Sequence, residues 1–336
     1  MAQIDDHFIE MCTDILKNGT TTKGQKVRPH WSDGTSAYTI KKFGVVFRYN
    51  LQEEFPVFTL RPTPVKSALD EVLWIWQKKS NDIHDLHSGV WDEWADENGL
   101  IGRAYGYQMA VKHRYNDITK EGLVTAFGEA AVEAIPTEEE DIEILTPEEW
   151  REKHSSDLRN FHAVYGKNSS IYLDQVDRVI YDLKNNPFSR RILTNLYTMS
   201  DLHAMNLYPC AYSMTFNVTQ KPGHEKLTLN AILNQRSQDI LTAFAWNEWQ
   251  YSCLLALIAQ SCDMEAGEFV HVIADAHIYD RHVDAVKELL SRTPNKAPKV
   301  WINPDIHDFY QFTRDDVKLI DYHPAGDQIR NIPVAV

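Results

Sequence analysis

Paired cysteines and long hydrophobic runs are absent from the sequence. Only four cysteines occur among 336 residues and none forms a CxxC pair, which argues against a zinc ribbon and a disulfide scaffold. No apolar run approaches the roughly 20 residues needed to cross a bilayer, and the first residues lack the basic and apolar regions of a signal peptide. We therefore expect a cytoplasmic protein that does not enter a membrane.

Positive charge is also scarce. The chain carries 34 lysines and arginines against 48 aspartates and glutamates, which gives a formal net charge of -14. This excess of negative charge opposes binding to DNA and to acidic membranes, so an anionic ligand would need a local cluster of arginines. The sequence has no internal repeat and no GxGxxG motif, so a dinucleotide-binding fingerprint is missing as well.

Apolar residues are plentiful, at 43% of the chain, and a chain of this length can bury a large core. Their spacing predicts helices at 1–20, 67–79 and 173–183 and strands at 39–48, 212–218 and 227–233, the last two as a hairpin. Residues 248–262 are apolar on nearly every face and predict a central buried helix. The expected fold class is α+β, a single domain with a large mixed β-sheet and flanking helices around a buried central helix.

Residues 110–172 differ from the rest of the chain. They are polar, with an acidic run at 138–141, and contain few large apolar side chains. The run Thr146-Pro147-Glu148-Glu149 has the threonine, proline and glutamate of a helix N-terminus. We interpret the segment as an acidic surface insertion in one domain spanning residues 1–336, and its acidic run as a solvated face rather than a binding site.

Cys210 is the first candidate for chemistry. A free cysteine is usually a small buried apolar residue, and a reactive one needs a cation or a helix terminus to stabilise its thiolate. Arg190 and Arg191 precede it and Arg236 follows it. Because guanidinium groups match phosphate oxygens, the arginines and the thiol together predict a site for a phosphorylated ligand.

Other polar residues have more than one interpretation. Asp275, His277 and His282 suggest a metal site, but no further ligand falls at a familiar spacing, and a histidine with Tyr279 could equally donate hydrogen bonds to a sugar hydroxyl. Asn247 is either the N-cap of the buried helix or an amide that pairs with a ring amide.

Trp91 and Trp94 are three residues apart and would share one helical face. Core packing is one interpretation of this pair. Stacking on a flat heterocycle is the other.

Taken together, these segments resemble the thymidylate synthase family over nearly the whole chain apart from residues 110–172. The matching motifs occur in the family's order and spacing: Ser189-Arg190-Arg191, Tyr208-Pro209-Cys210, Gln235-Arg236-Ser237-Gln238-Asp239, Asn247, Asp275-Ala276-His277-Ile278-Tyr279 and Ile332-Pro333-Val334-Ala335-Val336. One such motif is weak evidence of a family relationship, whereas six in the same order and spacing are not explained by coincidence. The resemblance implies a thymidylate-synthase-like fold.

The resemblance also implies a reaction, the reductive methylation of dUMP to dTMP. The donor of the carbon and the hydride would be 5,10-methylenetetrahydrofolate, which leaves as dihydrofolate, and no metal takes part. Cys210 would add to C6 of uracil and make C5 a carbon nucleophile. Glu71 would organise water and protons, and Tyr105 would lie near the proton removed from C5.

The nucleotide-binding residues follow from the same match. The phosphate would be bound by Arg28, Arg236 and Ser237, joined by Arg190 and Arg191 from the partner subunit of a homodimer. Asn247 would read the uracil edge, and His277 and Tyr279 would bind the deoxyribose 3'-hydroxyl.

The folate would be bound by another set of matching residues. Asp239 corresponds to the pterin-binding carboxylate and belongs to the catalytic and dUMP-binding sets as well. Trp91 and Trp94 would lie beside the folate. The carboxylate of Val336 would close over it and exclude water.

Several positions depart from the commonest family pattern. Ala211 replaces the histidine that often follows the cysteine, so no role of that imidazole carries over. Arg61-Pro62-Thr63-Pro64 replaces a segment usually richer in basic residues and histidine near the folate. Ala243 and Ala245 stand where glycine and proline are frequent, and Trp246 where phenylalanine is. These changes affect the folate pocket more than the cysteine chemistry.

The sequence leaves three alternatives to the thymidylate synthase reaction. A uracil hydroxymethylase of the same fold would quench the same intermediate with water, whereas Asn247 argues against a cytosine-specific version, which has aspartate there. A nonenzymatic nucleotide-binding or RNA-binding protein is opposed by the net charge. A thiol hydrolase is opposed by the lack of a recognised histidine and asparagine signature around Cys210.

Overall fold

The computed structural model describes residues 1–135, 163–165 and 170–336. Its helices are α1 (Gln3–Asn18), α2 (Val65–Leu73), α3 (Gly106–Ala110), α4 (Lys120–Phe127), α5 (Glu129–Glu133), α6 (Gln175–Asn185), α7 (Ile240–Ser261) and α8 (Val283–Ser291). Its strands are β1 (Thr20–Thr21), β2 (Thr39–Asn50), β3 (His113–Tyr115), β4 (Val164–Tyr165), β5 (Ile171–Leu173), β6 (Leu193–Asn195), β7 (Ala211–Thr219), β8 (Thr228–Gln235), β9 (Gln238–Asp239), β10 (Glu265–Tyr279), β11 (Lys299–Ile302) and β12 (Val317–Ile320).

The large sheet has seven strands, in the order β1-β2-β10-β8-β7-β6 with β9 beside β10. β10 pairs antiparallel with β2 and parallel with β8, so the sheet is mixed, as predicted. β7 and β8 pair antiparallel along their length, which confirms the predicted hairpin. In β7 the side chains of Met214, Phe216 and Val218 enter the core, and this alternation is what made the strand recognisable in the sequence.

The predicted central helix is α7, and it is longer than predicted. It runs from Ile240 to Ser261, is buried on most of its faces, and packs against β10 and α2. Its N-cap is Asp239, whose carboxylate accepts hydrogen bonds from the backbone N–H groups of Leu241 and Thr242. The interpretation of Asn247 as the N-cap is therefore wrong, because the free N–H groups of the first turn lie two turns earlier, at Asp239.

No helix in the described part of the chain, α7 included, is long and apolar enough to cross a membrane.

The helices predicted at 1–20 and 67–79 both form, the second with a change of geometry. α1 ends at Asn18, before Gly19. α2 passes at Trp74–Lys78 into a wider π-helical turn, and Lys79 ends it with a left-handed φ of 51°. Single π turns are often found near functional sites, and this one follows directly from the helix that carries Glu71.

Part of the segment 110–172 is described. It contains α4, α5 and a three-stranded sheet in the order β3-β5-β4, which enclose a small apolar core that includes Leu123, Leu173 and Tyr181. Because Tyr181 belongs to α6, this small core is attached to the main body of the protein. The acidic run at 138–141 and the predicted helix start at Thr146 lie outside the described residues.

Candidate active site

Cys210 lies immediately before β7, beside the end of β8. The pairing of Ala211 with Gln235 places Cys210 next to Arg236, whose backbone N–H donates to the Cys210 carbonyl oxygen at 2.9 Å. The arginine Nη2 lies 3.6 Å from Sγ of Cys210. The hairpin therefore brings together the thiol and the guanidinium, which are 26 residues apart in the chain.

The guanidinium of Arg236 is held by the loop that carries the cysteine. Its Nε donates to the carbonyl oxygen of Pro209 at 3.0 Å, and Nη2 donates to that of Tyr208 at 2.6 Å. Burial raises the pKa of the Cys210 thiol above its ordinary value, and the positive charges of Arg236 and Arg28 oppose that rise. These cations reduce the cost of forming the thiolate in a buried place.

The predicted phosphate-binding arginines do not all meet at Cys210 within one chain. Arg28 is exposed, but its charge acts on both Cys210 and Tyr279. Arg190 and Arg191 are exposed just before β6, and Arg191 acts on Asp117 rather than on the thiol. One chain thus supplies Arg236 and Arg28 to the site, with Ser237 half-buried beside Arg236.

Glu71 is a buried carboxylate on α2 that three side-chain donors hold in place. Trp91 Nε1 donates to Oε1 at 3.0 Å, while Trp246 Nε1 and Gln250 Nε2 donate to Oε2 at 2.5 and 2.9 Å. Burial raises the pKa of Glu71 to about 7, although the three donors oppose this. A group that titrates near neutral pH can give or take a proton under working conditions.

Tyr105 connects Glu71 with the cysteine. Its ring lies 4.9 Å from that of Trp91, which holds Glu71, and its hydroxyl oxygen accepts a hydrogen bond from the backbone N–H of Cys210 at 3.0 Å. Burial and the neighbouring Cys210 raise the pKa of the Tyr105 hydroxyl well above its ordinary value. Tyr105 therefore stays neutral and can act as a hydrogen-bond donor in the site.

The two tryptophans expected beside the folate form a pair. The rings of Trp91 and Trp94 are 5.7 Å apart, and Trp91 is buried while Trp94 is partly exposed. Trp94 ends a short 3₁₀ turn, Asp92–Trp94, and Trp91 is the residue before it, so the pair does not lie on a regular helix. Trp91 is packed in the core against Glu71 and Tyr105, whereas Trp94 is partly exposed to solvent.

Asn247 projects from the second turn of α7 into a cluster of amide side chains. Its Oδ1 accepts from Nε2 of Gln235 and of Gln238, both at 3.3 Å, and its Nδ2 donates to Gln250 Oε1 at 3.0 Å. These contacts distinguish the oxygen of the amide from its nitrogen. Both lone pairs of Oδ1 are engaged, so the group that this amide can offer to a ring is the second N–H of Nδ2.

The residues expected to bind the sugar lie at the end of β10. His277 Nδ1 is 2.9 Å from Asp275 Oδ1, and Lys41 donates to the other oxygen of that carboxylate at 2.6 Å. The ring of Tyr279 lies 5.0 Å from that of His277. This leaves Nε2 of His277 and the hydroxyl of Tyr279 as the polar tips of two adjacent side chains.

The carboxylate of Asp239 both caps a helix and interacts with polar side chains. It caps α7, accepts a hydrogen bond from the Thr242 hydroxyl at 2.7 Å, and lies 3.3 Å from Nδ1 of His282. Burial would raise its pKa, but His282 and Thr242 outweigh burial and hold the pKa below its ordinary value. Asp239 is therefore an anion at neutral pH.

The metal interpretation of Asp275, His277 and His282 is not supported by their contacts. His277 faces Asp275, whereas Nε2 of His282 donates to the carbonyl oxygen of Pro333 at 2.8 Å. Within the described residues, no three histidine, cysteine or acidic side chains are grouped to hold a metal ion.

The C-terminus lies against the same site. Val336 and His30 exchange two backbone hydrogen bonds, of 2.9 and 3.0 Å, and His30 is two residues from Arg28. A cavity of about 560 Å³ lies between residues 328–332 of the terminal segment, the segment around Arg61 and the start of α7, and Trp246 also lines it. The terminal segment therefore forms one wall of a pocket beside Glu71 and Asp239.

Sequence reasoning missed several residues of the site. Gln235, Gln238 and Gln250 orient Asn247, and Trp246 binds Glu71. The available signal was a set of polar residues, among them Asn247, Glu248 and Gln250, inside a helix that is mostly apolar and buried.

The site combines a cysteine beside an arginine, an asparagine amide in a fixed orientation and a buried carboxyl group with a pKa of about 7, all on a mixed α+β fold. These groups are suited to an enzyme that uses a thiol nucleophile on an anionic substrate. The comparisons with known proteins show the enzyme family to which the chain belongs. The family model for thymidylate synthase matches residues 6–336, and the chain therefore belongs to the thymidylate synthase family. It is accordingly a methyltransferase.

Individual relatives agree with this assignment. The chain is 35% identical over 333 residues to the thymidylate synthase of Bacillus subtilis subsp. natto, and the aligned region covers 98% of each chain. It is 34% identical over 333 residues to that of Bacillus phage phi3T. The solved structure of thermostable thymidylate synthase A from Bacillus subtilis covers 99% of this chain with a TM-score of 0.75 and 34% identity. These matches extend across the segment 110–172.

Proposed function

We propose that the chain converts dUMP to dTMP with 5,10-methylenetetrahydrofolate, which leaves as dihydrofolate. The observation that carries this proposal is the approach of Arg236 Nη2 to 3.6 Å from Cys210 Sγ in a chain of the thymidylate synthase family. When bound, the folate supplies the carbon unit and the hydride.

The cysteine chemistry begins with the thiolate of Cys210. Sulfur adds to C6 of uracil, a C–S bond forms, and the electron pair of the C5–C6 double bond moves toward C5 and O4, so that C5 becomes nucleophilic. Glu71, with a pKa of about 7, is suited to exchange protons at this stage. The Tyr105 hydroxyl, beside the Cys210 backbone, is suited to the later removal of the proton from C5.

Nucleotide binding is proposed for the cationic and polar groups around the thiol. Arg28, Arg236 and Ser237 of one chain bind the phosphate, and local positive charge there offsets the net charge of -14. Asn247 pairs with the uracil edge. His277 and Tyr279 bind the 3'-hydroxyl.

The pocket beside Asp239 fits a folate. Its volume of about 560 Å³ lies in the range of ligand sites, and Arg61 and Arg330 in its wall suit the carboxylates of a glutamyl tail. Asp239, Trp91 and Trp94 would hold the folate's ring system. The two backbone hydrogen bonds between Val336 and His30 support a fixed position of the terminal carboxylate near this pocket.

Trp246, which stands where phenylalanine is frequent in the family, has a visible effect on the site. Its indole N–H donates to Glu71 Oε2 at 2.5 Å, a hydrogen bond that a phenylalanine ring cannot form. This departure therefore adds a donor to the proton-handling carboxylate as well as changing the shape of the folate pocket.

We also propose a homodimer with shared sites. The face of the large sheet opposite α7 exposes apolar side chains at Val46, Leu193 and Ile232. Phe43, also on β2, is 91% exposed. An apolar sheet face of this kind is typical of a protein interface, and a second copy would cover it symmetrically. Arg190 and Arg191 precede β6 on this sheet and are free to enter the partner's site.

Mixing inactive variants tests the shared site. The Cys210→Ser variant and the Arg190→Ala/Arg191→Ala double variant should each be nearly inactive. After unfolding and refolding together in equal amounts, half of the dimers are mixed and each has one intact site, so about a quarter of normal activity should return. If the arginines served their own chain, mixing would restore nothing.

The product of the reaction tests the proposed activity itself. With dUMP and 5,10-methylenetetrahydrofolate, we expect dTMP and dihydrofolate in equal amounts, the latter followed by its ultraviolet absorbance. Release of tetrahydrofolate with 5-hydroxymethyl-dUMP would instead identify the hydroxymethylase alternative, which the names of the relatives do not favour. Nucleotide binding without any product would indicate the nonenzymatic alternative.

We further propose a cytoplasmic location. All four cysteines, Cys12, Cys210, Cys253 and Cys262, are free thiols, which suits a reducing compartment. Fractionation of cells that express the full chain would contradict this if the protein were recovered outside the cytoplasm.

A further inference from the structure

A buried chain of side chains leads from the core of the protein to Asn247. Glu248 on α7 and His271 on β10 are both fully buried. His271 Nδ1 lies 2.8 Å from Glu248 Oε1, and its Nε2 lies 2.9 Å from Gln235 Oε1. Nε2 of Gln235 in turn lies 3.3 Å from Asn247 Oδ1. The chain thus connects a buried acid and imidazole with the amide that reads uracil.

The neighbours of Gln235 fix the direction of these hydrogen bonds. Its Nε2 donates to the carbonyl oxygen of Ser237 at 3.1 Å and to Asn247 Oδ1, so its Oε1 faces His271. Because Oε1 can only accept, Nε2 of His271 must carry a hydrogen. If the Gln235 amide turned over, its oxygen would meet two acceptors, and buried polar atoms would lose their partners at a substantial cost.

Packing alone does not require an acid and an imidazole at these positions. The His271 ring stacks on Phe269 at 6.2 Å, and the surrounding core is largely apolar. An apolar pair of similar volume usually gives as much stability as a buried ionisable pair, or more. What the pair adds is orientation, because Glu248 holds Nδ1 and thereby keeps Nε2 of the imidazole directed at Gln235.

We propose that Glu248 and His271 are positioning residues for pyrimidine recognition. They hold Gln235, and through it Asn247, so that the second N–H of the Asn247 amide is placed to donate to O4 of uracil. Neither residue touches the nucleotide. The inference rests on the proposed function, since it takes uracil as the ring that Asn247 reads.

The test measures dUMP and dCMP binding to the full-length protein by calorimetry. The Glu248→Leu/His271→Phe double variant fills the same core with apolar groups and removes the chain. We expect its Kd for dUMP to rise about tenfold, and the ratio of the Kd for dCMP to that for dUMP to fall about tenfold, the effect of one lost hydrogen bond. At saturating dUMP, kcat should stay within about threefold.

Two further variants separate orientation from stability. Glu248→Gln keeps a hydrogen bond to Nδ1 of His271 and should retain most of the dUMP preference. Tyr49→Phe alters a buried hydroxyl that senses the charge of Glu248 and has no hydrogen-bond partner among the described residues; it should leave the preference unchanged. An unchanged preference in a folded double variant, or an equal loss in Glu248→Gln, would overturn the proposal.

A measurement on the unmodified protein keeps the proposal testable even if the double variant does not fold. With ¹⁵N-labelled histidine, NMR should show a hydrogen on Nε2 of His271, and an Nε2 without one would contradict the proposed direction. Failure of the unmodified protein to bind dUMP would refute the proposed function instead, so the two failures are distinguishable.

Discussion

Replacing Cys210 by serine is expected to lower kcat for dTMP formation by at least about four powers of ten. The hydroxyl of serine is far less acidic than a thiol, so it adds poorly to C6 of uracil. The cations that bind phosphate remain, because Arg236 is held by the carbonyl oxygens of Tyr208 and Pro209. The Kd for dUMP should therefore change little, and the loss should lie in kcat.

Cys262→Ser provides the matched control for this experiment. Cys262 is a free and partly buried thiol like Cys210, but it follows the far end of α7. Its replacement should leave kcat within about twofold, as expected for a substitution away from the reacting atoms. Turnover by the Cys210→Ser variant within tenfold of the unmodified enzyme would refute the assignment of Cys210 as the nucleophile.

The sequence predicted the elements in which local pattern and burial agree. β7 alternates between core and surface, and α1 has apolar residues on one face, so both were found. α7 was predicted too short because it is buried on most sides and has no periodicity that marks its start. Its beginning depends on the Asp239 carboxylate, and the motif that contains Asp239 drew attention to ligand binding rather than to capping.

The arrangement around the site could be predicted only in part. Family motifs placed Glu71, Tyr105 and Cys210 in one site, and the structure connects them through Trp91 and a backbone hydrogen bond. No pattern in the sequence predicted that Trp91, Trp246 and Gln250 would all donate to Glu71. Such contacts join residues 20 to 179 positions apart, and side-chain packing in three dimensions decides them.

The sequence was equally unable to predict which charged residues interact with the thiol. Arg28 acts on the thiol from a segment some 180 residues upstream, whereas Arg191, only 19 residues upstream, acts on Asp117. Distance in sequence is thus a poor guide to electrostatic contact. Arg190 and Arg191 are exposed just before β6, and the role proposed for them in the second subunit depends on that exposure.

Replacing Asn247 by aspartate is expected to lower kcat/KM for dUMP by about two to three powers of ten and to make dCMP the better substrate. Asn247 Nδ2 donates to Gln250 Oε1, and Gln250 cannot turn to compensate because its Nε2 is held by the Ala68 carbonyl oxygen and by Glu71. A carboxylate would therefore place acceptors against both Gln250 and O4 of uracil, and two mismatched buried hydrogen bonds cost roughly this much. Cytosine offers an amino donor at the same position. The substitution of the exposed Asn217 by aspartate is the control. If the Asn247→Asp variant kept its turnover of dUMP within tenfold and did not turn over dCMP, Asn247 would not be the residue that recognises the ring.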